Sequence, residues 1–298
     1  PQKEHVVLGM TAAIGAFLMF TVMNLLAKLL SERHSVIEIS FYRNIVALLP
    51  FLFMLFALGR RDIVVIRAKP GLVLFRAVFG TVSLALTFAA FSLMPMADTT
   101  ALLFASSLFV PVLGVVFLKE HVGPWRWTAI VAGFAGVIVM TRPSGDTVML
   151  GVAIALGAAF LQAVLQIILR YLGQYERPET ITFYFFLIGT LITAVPLPFI
   201  AVRPTADEIP LLVGIGLAGA AAQMLLTMAY RHAPAAIVTV FNYSGIVWAT
   251  LFGWLVWNDW PATAVFAGAF IVIASNILLV WRESRFRDPT GERARAKL

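Results

Sequence analysis

Residues 94–120 read MPMADTTALLFASSLFVPVLGVVFLKE, and residues 233–259 read APAAIVTVFNYSGIVWATLFGWLVWND. Each stretch has proline at its second position, alanine at its fourth and an acidic residue at its end. A constant offset of 139 residues aligns Gly80 with Gly219, Ala90 with Ala229, Phe91 with Tyr230, Pro95 with Pro234, Ala97 with Ala236, Gly114 with Gly253 and Glu120 with Asp259. Glycine and alanine matches alone are weak in an apolar chain, but proline and acidic matches at a fixed offset indicate a duplication.

The duplication extends to the part of the chain that precedes these stretches. An offset of 142 residues aligns Gly15-Ala16 with Gly157-Ala158, Lys28 with Arg170, and Phe41-Tyr42 with Phe183-Tyr184. The change of offset falls between the second and third apolar runs, where a loop can change length. The chain therefore consists of two copies of one unit.

The composition is that of an integral membrane protein. Of 298 residues, 61% are apolar and only 12% are charged, and the mean hydropathy is +0.93. A soluble domain has about 25% charged residues, so this chain has too little charge to cover a surface that faces water. The net charge of +7 does not indicate nucleic-acid binding, because the basic residues cluster in short segments beside apolar runs, as topology-setting charges do. The chain contains no cysteine, which argues against thiolate metal sites.

About 20 apolar residues cross the hydrocarbon layer as a helix, and on that basis we predict ten membrane spans. They are Val6–Leu30, Val36–Leu58, Leu72–Leu93, Ala97–Leu118, Trp125–Met140, Val148–Leu172, Thr180–Phe199, Ile209–Tyr230, Ala235–Val256 and Ala262–Trp281. The first run is too long for the apolar region of a cleavable signal peptide, so we expect it to remain as a span. With the N-terminus inside, sixteen basic residues fall on the cytoplasmic side and three on the opposite side. The positive-inside rule then predicts that both termini are cytoplasmic.

Each copy carries five spans, and an odd number of spans turns the second copy upside down relative to the first. We therefore predict an all-α polytopic membrane protein of ten helices, built as two inverted five-helix repeats around a central cavity. The first repeat is 1–143, the second is 144–284, and 285–298 form a basic cytoplasmic tail. Inverted repeats allow a site on their shared axis to be closed from either side in turn, which is alternating access. The alternative is that duplication only helps to assemble a helix bundle.

The repeats resemble a known family. The stretch Pro95 … Pro111 … Phe117-Leu118-Lys119-Glu120, followed by a glycine-rich span, resembles the EamA-type repeat of the drug/metabolite transporter superfamily. The second copy departs from the pattern, with Thr250 opposite Pro111 and Trp257-Asn258-Asp259 at the acidic corner. The resemblance covers nearly the whole chain and is strongest to exporters of aromatic amino acids. It implies export of amino acids or related metabolites across a bacterial inner membrane.

Polar side chains at membrane depth are costly and commonly face a water-filled cavity. On that basis the predicted substrate-binding residues are Asn24, Tyr42, Arg43, Ser83, Thr87, Phe104, Gln162, Gln166, Gln223, Asn242, Tyr243, Ser244 and Trp248. Each also has a structural interpretation, because amides hydrogen-bond neighbouring helices and small residues pack helices together. Lys28 could likewise extend its amine to the membrane surface.

Arg43 is the sharpest of these candidates, because an unpaired guanidinium two turns into a span is costly. One hypothesis is a gate in which Arg43 pairs with Asp98 or Glu38, with Lys28 at the same level. A second is a clamp on a substrate carboxylate, which suits the bidentate geometry of arginine. A third is a purely structural salt bridge.

The leading functional hypothesis is a secondary transporter that exports amino acids, aromatic and other amphipathic ones, or related small metabolites. The alternatives are an efflux carrier for drugs or cationic compounds and a membrane scaffold or receptor that transports nothing. An enzyme is not expected, because no HExxH motif or nucleophile–histidine pair falls at membrane depth. We expect no cofactor, no metal and no nucleic-acid partner. The expected partners are a small-molecule substrate and the lipid bilayer, and a monomer is compatible with the sequence.

Overall fold

The computed structural model describes residues 2–118, 124–140, 149–233, 238 and 241–285. Within these residues the regular structure is helical, with one 3₁₀ turn at Arg61–Val64. The helices of the first half are α1 (Gln2–Leu30), α2 (Val36–Phe56), α3 (Pro70–Leu93), α4 (Met96–Leu103), α5 (Ala105–Leu118) and α6 (Pro124–Met140). Those of the second half are α7 (Met149–Leu172), α8 (Pro178–Ala194), α9 (Leu197–Ile200), α10 (Ile209–His232), α11 (Ser244–Trp257) and α12 (Thr263–Arg285).

The helices have the length and apolar character of membrane spans. Six stretches of the described chain are long and apolar enough to cross a bilayer: Val7–Leu30, Val36–Phe56, Pro70–Leu93, Met96–Leu113, Met149–Leu169 and Ile209–Ala229. Shorter apolar helices occupy Trp127–Met140, Pro178–Ala194, Ser244–Trp257 and Thr263–Leu278. Large side chains such as Phe56 and Phe199 are 79% and 89% exposed on the outside of the bundle, as expected where lipid is the solvent. The all-α membrane fold predicted from composition is what the structure has.

The helix starts follow from local sequence. At the start of α2, the Ser35 hydroxyl accepts a hydrogen bond from the Glu38 N–H, and the Glu38 carboxylate accepts one from the Ser35 N–H. This reciprocal pair is a capping box. Helices α3 and α8 begin at Pro70 and Pro178, where the missing proline N–H would have no partner in any case.

Three predicted spans are not the single helices that the hydropathy indicated. The fourth breaks at Phe104, where the Ser107 hydroxyl donates to the Phe104 carbonyl at 2.6 Å and the Ser107 N–H donates to it at 3.1 Å. This tighter turn separates α4 from α5. The ninth has the equivalent break, because α11 begins only after Tyr243, whose carbonyl accepts from Ile246 N–H at 3.2 Å. The seventh ends at Ala194, since Pro196 and Pro198 remove backbone donors.

The helices pack in a pattern that stays the same when the two halves are exchanged. Helix α1 packs on α10 as α7 packs on α3, and α2 packs on α10 as α8 packs on α3. Helix α11 lies against α1 as α5 lies against α7, while α2–α8, α4–α11 and α6–α12 pair with their own counterparts. Such a set of contacts is expected for two halves related by a two-fold axis. The axis passes close to Phe104 and Tyr243, which are equivalent in the two halves and whose rings meet edge to face at 5.2 Å.

At one end of the bundle a buried carboxylate joins the α2–α3 loop to the α7–α8 loop. Glu176 is 4% exposed and accepts hydrogen bonds from the backbone N–H groups of Arg67, Ala68 and Lys69 at 2.7–3.1 Å. Burial by itself would raise the pKa of the Glu176 carboxyl. The three backbone donors and the charge of Arg67 outweigh burial and hold this pKa below its ordinary value.

We expect Glu176→Gln to lower the free energy of unfolding by about 1–3 kcal/mol, because hydrogen bonds to a charged acceptor are replaced by weaker neutral ones. Since the pKa is lowered on folding, the contribution of Glu176 is complete above its ordinary pKa of 4.5. It is lost as the pH falls through the lowered value. Thermal unfolding in detergent should therefore show a difference between wild type and variant at pH 7 that shrinks below pH 4.5. Glu32→Gln, at an exposed position, is the matched control, and an equal loss in both variants would contradict this account.

Candidate functional site

A central cavity of about 510 Å³ lies between helices of both halves. This volume is in the range of small-molecule sites. The walls come from α1, α2, α3, α4, α5, α7, α8, α10 and α11. They are formed by Phe17, Phe20, Thr21, Met23, Asn24, Arg43, Arg76, Gly80, Ser83, Leu84, Thr87, Phe91, Thr100, Leu103, Phe104, Ser106, Ser107, Gln162, Leu165, Gln166, Leu169, Phe185, Leu226, Asn242 and Gly245.

Eight of the thirteen residues predicted to contact substrate line this cavity. They are Asn24, Arg43, Ser83, Thr87, Phe104, Gln162, Gln166 and Asn242. Their polar groups form a partly connected surface, in which the Gln162 amide donates to the Thr87 hydroxyl at 3.3 Å and that hydroxyl donates to the Ser83 carbonyl at 2.8 Å. The Asn24 side-chain oxygen is buried and accepts no hydrogen bond. It is therefore available to a donor in the cavity.

The other five predicted residues do not line the cavity. Tyr42 packs beside the apolar cluster around Met23 and Ile39, and Tyr243 lies in the apolar cluster behind Phe104. The remaining three lie on α10 and α11 or at the start of α11. The Gln223 carbonyl accepts from Thr227, the Ser244 hydroxyl donates to the Phe241 carbonyl, and the Trp248 ring nitrogen is buried without a partner. On α10 the cavity is reached by Leu226 instead of Gln223.

Arg43 sits in the cavity wall without a counter-ion. It is 3% exposed, and one of its terminal nitrogens donates to the Asn44 side-chain oxygen at 2.9 Å. The guanidinium lies 4.9 Å from the centre of the Phe186 ring and 5.4 Å from that of Phe185, which is cation–π distance. Its Nε atom is buried and donates to nothing. Arg43 is thus positioned by rings and an amide, and its charge is not neutralised by a described carboxylate.

The structure does not bring Arg43 to either carboxylate proposed as its gate partner. The Glu38 carboxylate is already bonded, since it caps α2, accepts from the Val202 N–H at 2.8 Å and lies 3.3 Å from His34. Asp98 lies beside Lys28 instead. The expectation failed because sequence gives the depth of a residue in the membrane but not its rotation about the helix.

Arg76 is the cavity residue that sequence reasoning missed. It lies on α3, and its guanidinium is 4.7 Å from the centre of the same Phe185 ring. Its Nε and one terminal nitrogen are buried without partners. A signal was present in the sequence, because Arg76 stands one turn before Gly80 on the stripe that continues through Ser83 and Thr87. It was counted only as a charge within a span.

The two glycines equivalent in the duplication, Gly80 and Gly219, make room for the two arginines. A Cβ atom at Gly80 would overlap the Arg76 guanidinium and lie 3.0 Å from the Phe185 ring. A Cβ atom at Gly219 would lie 3.0 Å from the Arg43 Nε and 3.1 Å from the Met23 sulfur. Each arginine therefore occupies a space that only glycine leaves free.

We expect Gly80→Ala to lower transport by about tenfold or more, because the new methyl group displaces Arg76 and small displacements of binding groups are costly. Gly219→Ala should have a smaller effect, since its closest neighbours are flexible side chains. Gly157→Ala is the control, because a Cβ atom there meets nothing within 4 Å. Initial transport rates at matched expression test this order, and equal rates for Gly80→Ala and Gly157→Ala would refute it.

A second charged group lies one turn beyond the cavity, where α1 ends. The Lys28 amine donates to the Met94 carbonyl at 2.5 Å and lies 5.2 Å from the Trp257 ring. The carboxylates of Asp98 and Asp259 are close enough to act on its charge. Lys28 and Asp98 come from the first half and Asp259 from the second, so this cluster connects the halves at one end of the cavity. Lys28 does not simply extend to the surface.

A third group of charges joins the halves at the same end. The His34 imidazole is buried between Glu38 and Glu208, with one ring nitrogen 3.3 Å from each carboxylate. Arg33 also pairs with Glu208 at 3.2 Å. Hydrogen bonds from Thr205 are the main cause of a Glu208 pKa lowered to about 2. Glu38, predicted as a gate residue, therefore belongs to this surface network.

Comparison with known proteins agrees with the fold and the cavity. The model of the EamA-like transporter family matches twice, at residues 7–142 and 149–281. The pseudopaline exporter CntI of Pseudomonas aeruginosa is 30% identical over 91% of this chain and 95% of its own. A riboflavin transporter of Rhizobium johnstonii is 31% identical over 79% of this chain and 78% of its own.

More distant relatives share the architecture. An S-adenosylmethionine uptake transporter of Rickettsia bellii is 25% identical over 91% of this chain and 94% of its own. One protein of known crystal structure superposes with a TM-score of 0.62 at 15% identity, covering 92% of this chain and 99% of that one. The resemblance to drug/metabolite transporters found in the sequence is thus confirmed. The chain belongs to the EamA-like transporter family and is a membrane transporter.

Proposed function

We propose that this protein is a secondary transporter that exports small carboxylate-bearing metabolites, amino acids first among them, by alternating access. The observation that carries the proposal is the central cavity with Arg43 in its wall and no described carboxylate beside it. A guanidinium with free donors binds a carboxylate through two parallel hydrogen bonds. The amides of Asn24 and Gln162 and the rings of Phe20 and Phe104 supply partners for an amino group and an apolar side chain.

The proposed architecture is ten spans in two inverted repeats, 1–143 and 144–284, with a cytoplasmic tail at 285–298. Two observations support it: the helix contacts that are unchanged by exchange of the halves and the double match to the family model. Both termini lie in the cytoplasm of a bacterial cell, and the protein resides in its inner membrane. The ends of the first repeat and the tail fall outside the described residues.

In this proposal the Lys28–Asp98–Asp259 cluster forms the outer gate. It lies at the end of the cavity where residues of both halves meet, so its ion pairs must separate when the halves rock apart. With both termini cytoplasmic, this end faces away from the cytoplasm. The described conformation is then one in which the outer side is closed.

A carrier for cationic drugs is disfavoured by the same cavity. Arg43 and Arg76 place two positive charges in its wall, and a lipophilic cation would enter against their repulsion. The residues that would neutralise a cation, Asp98 and Asp259, lie beyond the cavity beside Lys28. Charge therefore favours an anionic or zwitterionic substrate.

Counterflow in proteoliposomes tests the proposal. Vesicles loaded with unlabelled amino acid should accumulate labelled amino acid from outside, while nucleosides and lipophilic cations should not exchange. Protein-free vesicles control for leakage. Exchange of lipophilic cations alone would show a drug carrier, and no exchange of any substrate would support the scaffold interpretation.

A further inference from the structure

Two positively charged side chains face one cavity, and this is more than a single carboxylate requires. Arg43 on α2 and Arg76 on α3 both lie over the Phe185 ring, at 5.4 and 4.7 Å from its centre. Arg76 is close enough for its charge to act unfavourably on Arg43. Both residues line the central cavity. The site therefore concentrates positive charge at one place in its wall.

Neither arginine uses its full set of donors within the described protein. A guanidinium has five N–H donors. Arg43 has one hydrogen bond, to Asn44, and an unpaired Nε, while Arg76 has two buried nitrogens without a partner. No salt bridge joins either of them to the aspartates and glutamates of the described ranges. Buried charges in proteins are normally paired, so the missing partners point to groups on a ligand.

A purely structural role explains one buried arginine better than two. Arg43 is held by Asn44 and by the Phe186 ring, and it could serve packing alone. A second like charge beside it makes the empty site less favourable, and a ligand with one carboxylate would leave one guanidinium unneutralised. The glycines at positions 80 and 219 further show that the backbone gives way to both guanidinium groups.

We infer that the preferred substrate carries two carboxylates, one bound by Arg43 and the other by Arg76, so that dicarboxylates including acidic amino acids are favoured over neutral amino acids. This inference rests on the proposed function and narrows its substrate class. Arg43, which is buried and fixed, binds the carboxylate common to all substrates. Arg76 binds the second one, and the free Asn24 oxygen accepts from an amino group.

The test compares glutamate with glutamine, which differ little in shape but by one carboxylate. Binding to the purified full-length protein is measured by ligand-induced thermal stabilisation, and transport by counterflow. Wild type should bind glutamate about 10- to 100-fold more tightly than glutamine, as expected for one charged hydrogen-bonded pair. Glutarate, which has two carboxylates and no amino group, should also bind more tightly than glutamine.

Variants identify the residue responsible. Arg76→Gln should reduce the glutamate-to-glutamine ratio to near one, and Arg76→Lys, which keeps the charge, should restore part of it. Arg61→Gln removes an exposed arginine outside the cavity and should leave the ratio unchanged. If Arg76→Gln fails to fold, the wild-type ratio and the Arg76→Lys variant still decide.

The outcomes separate the inference from the proposed function. Equal binding and exchange of glutamate and glutamine would overturn the inference and leave an amino acid transporter. Tight glutamate binding without exchange would support the two-carboxylate site and contradict transport. A ratio that persists in Arg76→Gln would overturn the role of Arg76. Stronger binding of phosphoserine or inorganic phosphate than of glutamate would assign the site to phosphate instead.

Discussion

Replacing Arg43 with glutamine should lower counterflow of every carboxylate-bearing substrate by about 100-fold. The expected loss corresponds to one or two hydrogen bonds to a charged group, each contributing about 1.5–3 kcal/mol. Glutamine keeps a polar side chain of similar length that can still contact Asn44, so the α2–α8 interface should persist. Initial rates in proteoliposomes, normalised to reconstituted protein, provide the measurement.

The control for Arg43→Gln is Arg61→Gln, which removes the same charge from an exposed position before α3. Unfolding temperatures of both variants in detergent establish that the fold is intact. Full transport activity in a folded Arg43→Gln protein would remove this residue from substrate binding and leave it a structural role.

Replacing Lys28 with methionine should shift the protein toward the state that is open at the outer end. The substitution leaves Asp98 and Asp259 without their cation, and an ion pair that loses one partner destabilises the state that contained it. Because Lys28 is only half-buried, we expect about 1–2 kcal/mol, which is a shift in the population ratio of about tenfold. Transport should fall, since a carrier held in one state cannot complete its cycle.

The native chain has no cysteine, so a single introduced thiol reports the Lys28→Met effect without background. Ser107→Cys places that thiol in the cavity wall. In the Lys28→Met background it should react about tenfold faster with a membrane-impermeant maleimide added from outside. Neutralising the acids as well, with Asp98→Asn and Asp259→Asn, should reverse the increase. An unchanged rate in Lys28→Met would exclude this cluster as the gate.

The sequence predicted the fold well because the bilayer makes few demands that a sequence can conceal. Each predicted span overlaps a helix, and the offset of 139 residues correctly equated Gly80 with Gly219 and Phe104 with Tyr243. Hydropathy did not predict the interruption at Phe104. A break stabilised by one serine hydroxyl costs no apolar residues, so it does not change the average of a window.

The site was predictable in part, since the cavity wall includes the amide stripe of α7 and the polar residues of α3. The misplaced candidates share one cause. Gln223 and Trp248 lie at the right depth, but their helices turn other faces to the cavity, and helix rotation is set by packing that one sequence does not show. Arg76 illustrates the reverse, because only the structure reveals that Phe185 brings it beside Arg43.

The most direct test of alternating access uses the Ser107→Cys protein in oriented vesicles, labelled from one side at a time with a membrane-impermeant maleimide. Alternating access predicts that the thiol reacts from the cytoplasmic side in the resting state, and that saturating exchangeable substrate increases labelling from the outer side while decreasing it from the inner side. Simultaneous access from both sides would indicate a channel, and labelling that does not respond to substrate would contradict the transport mechanism.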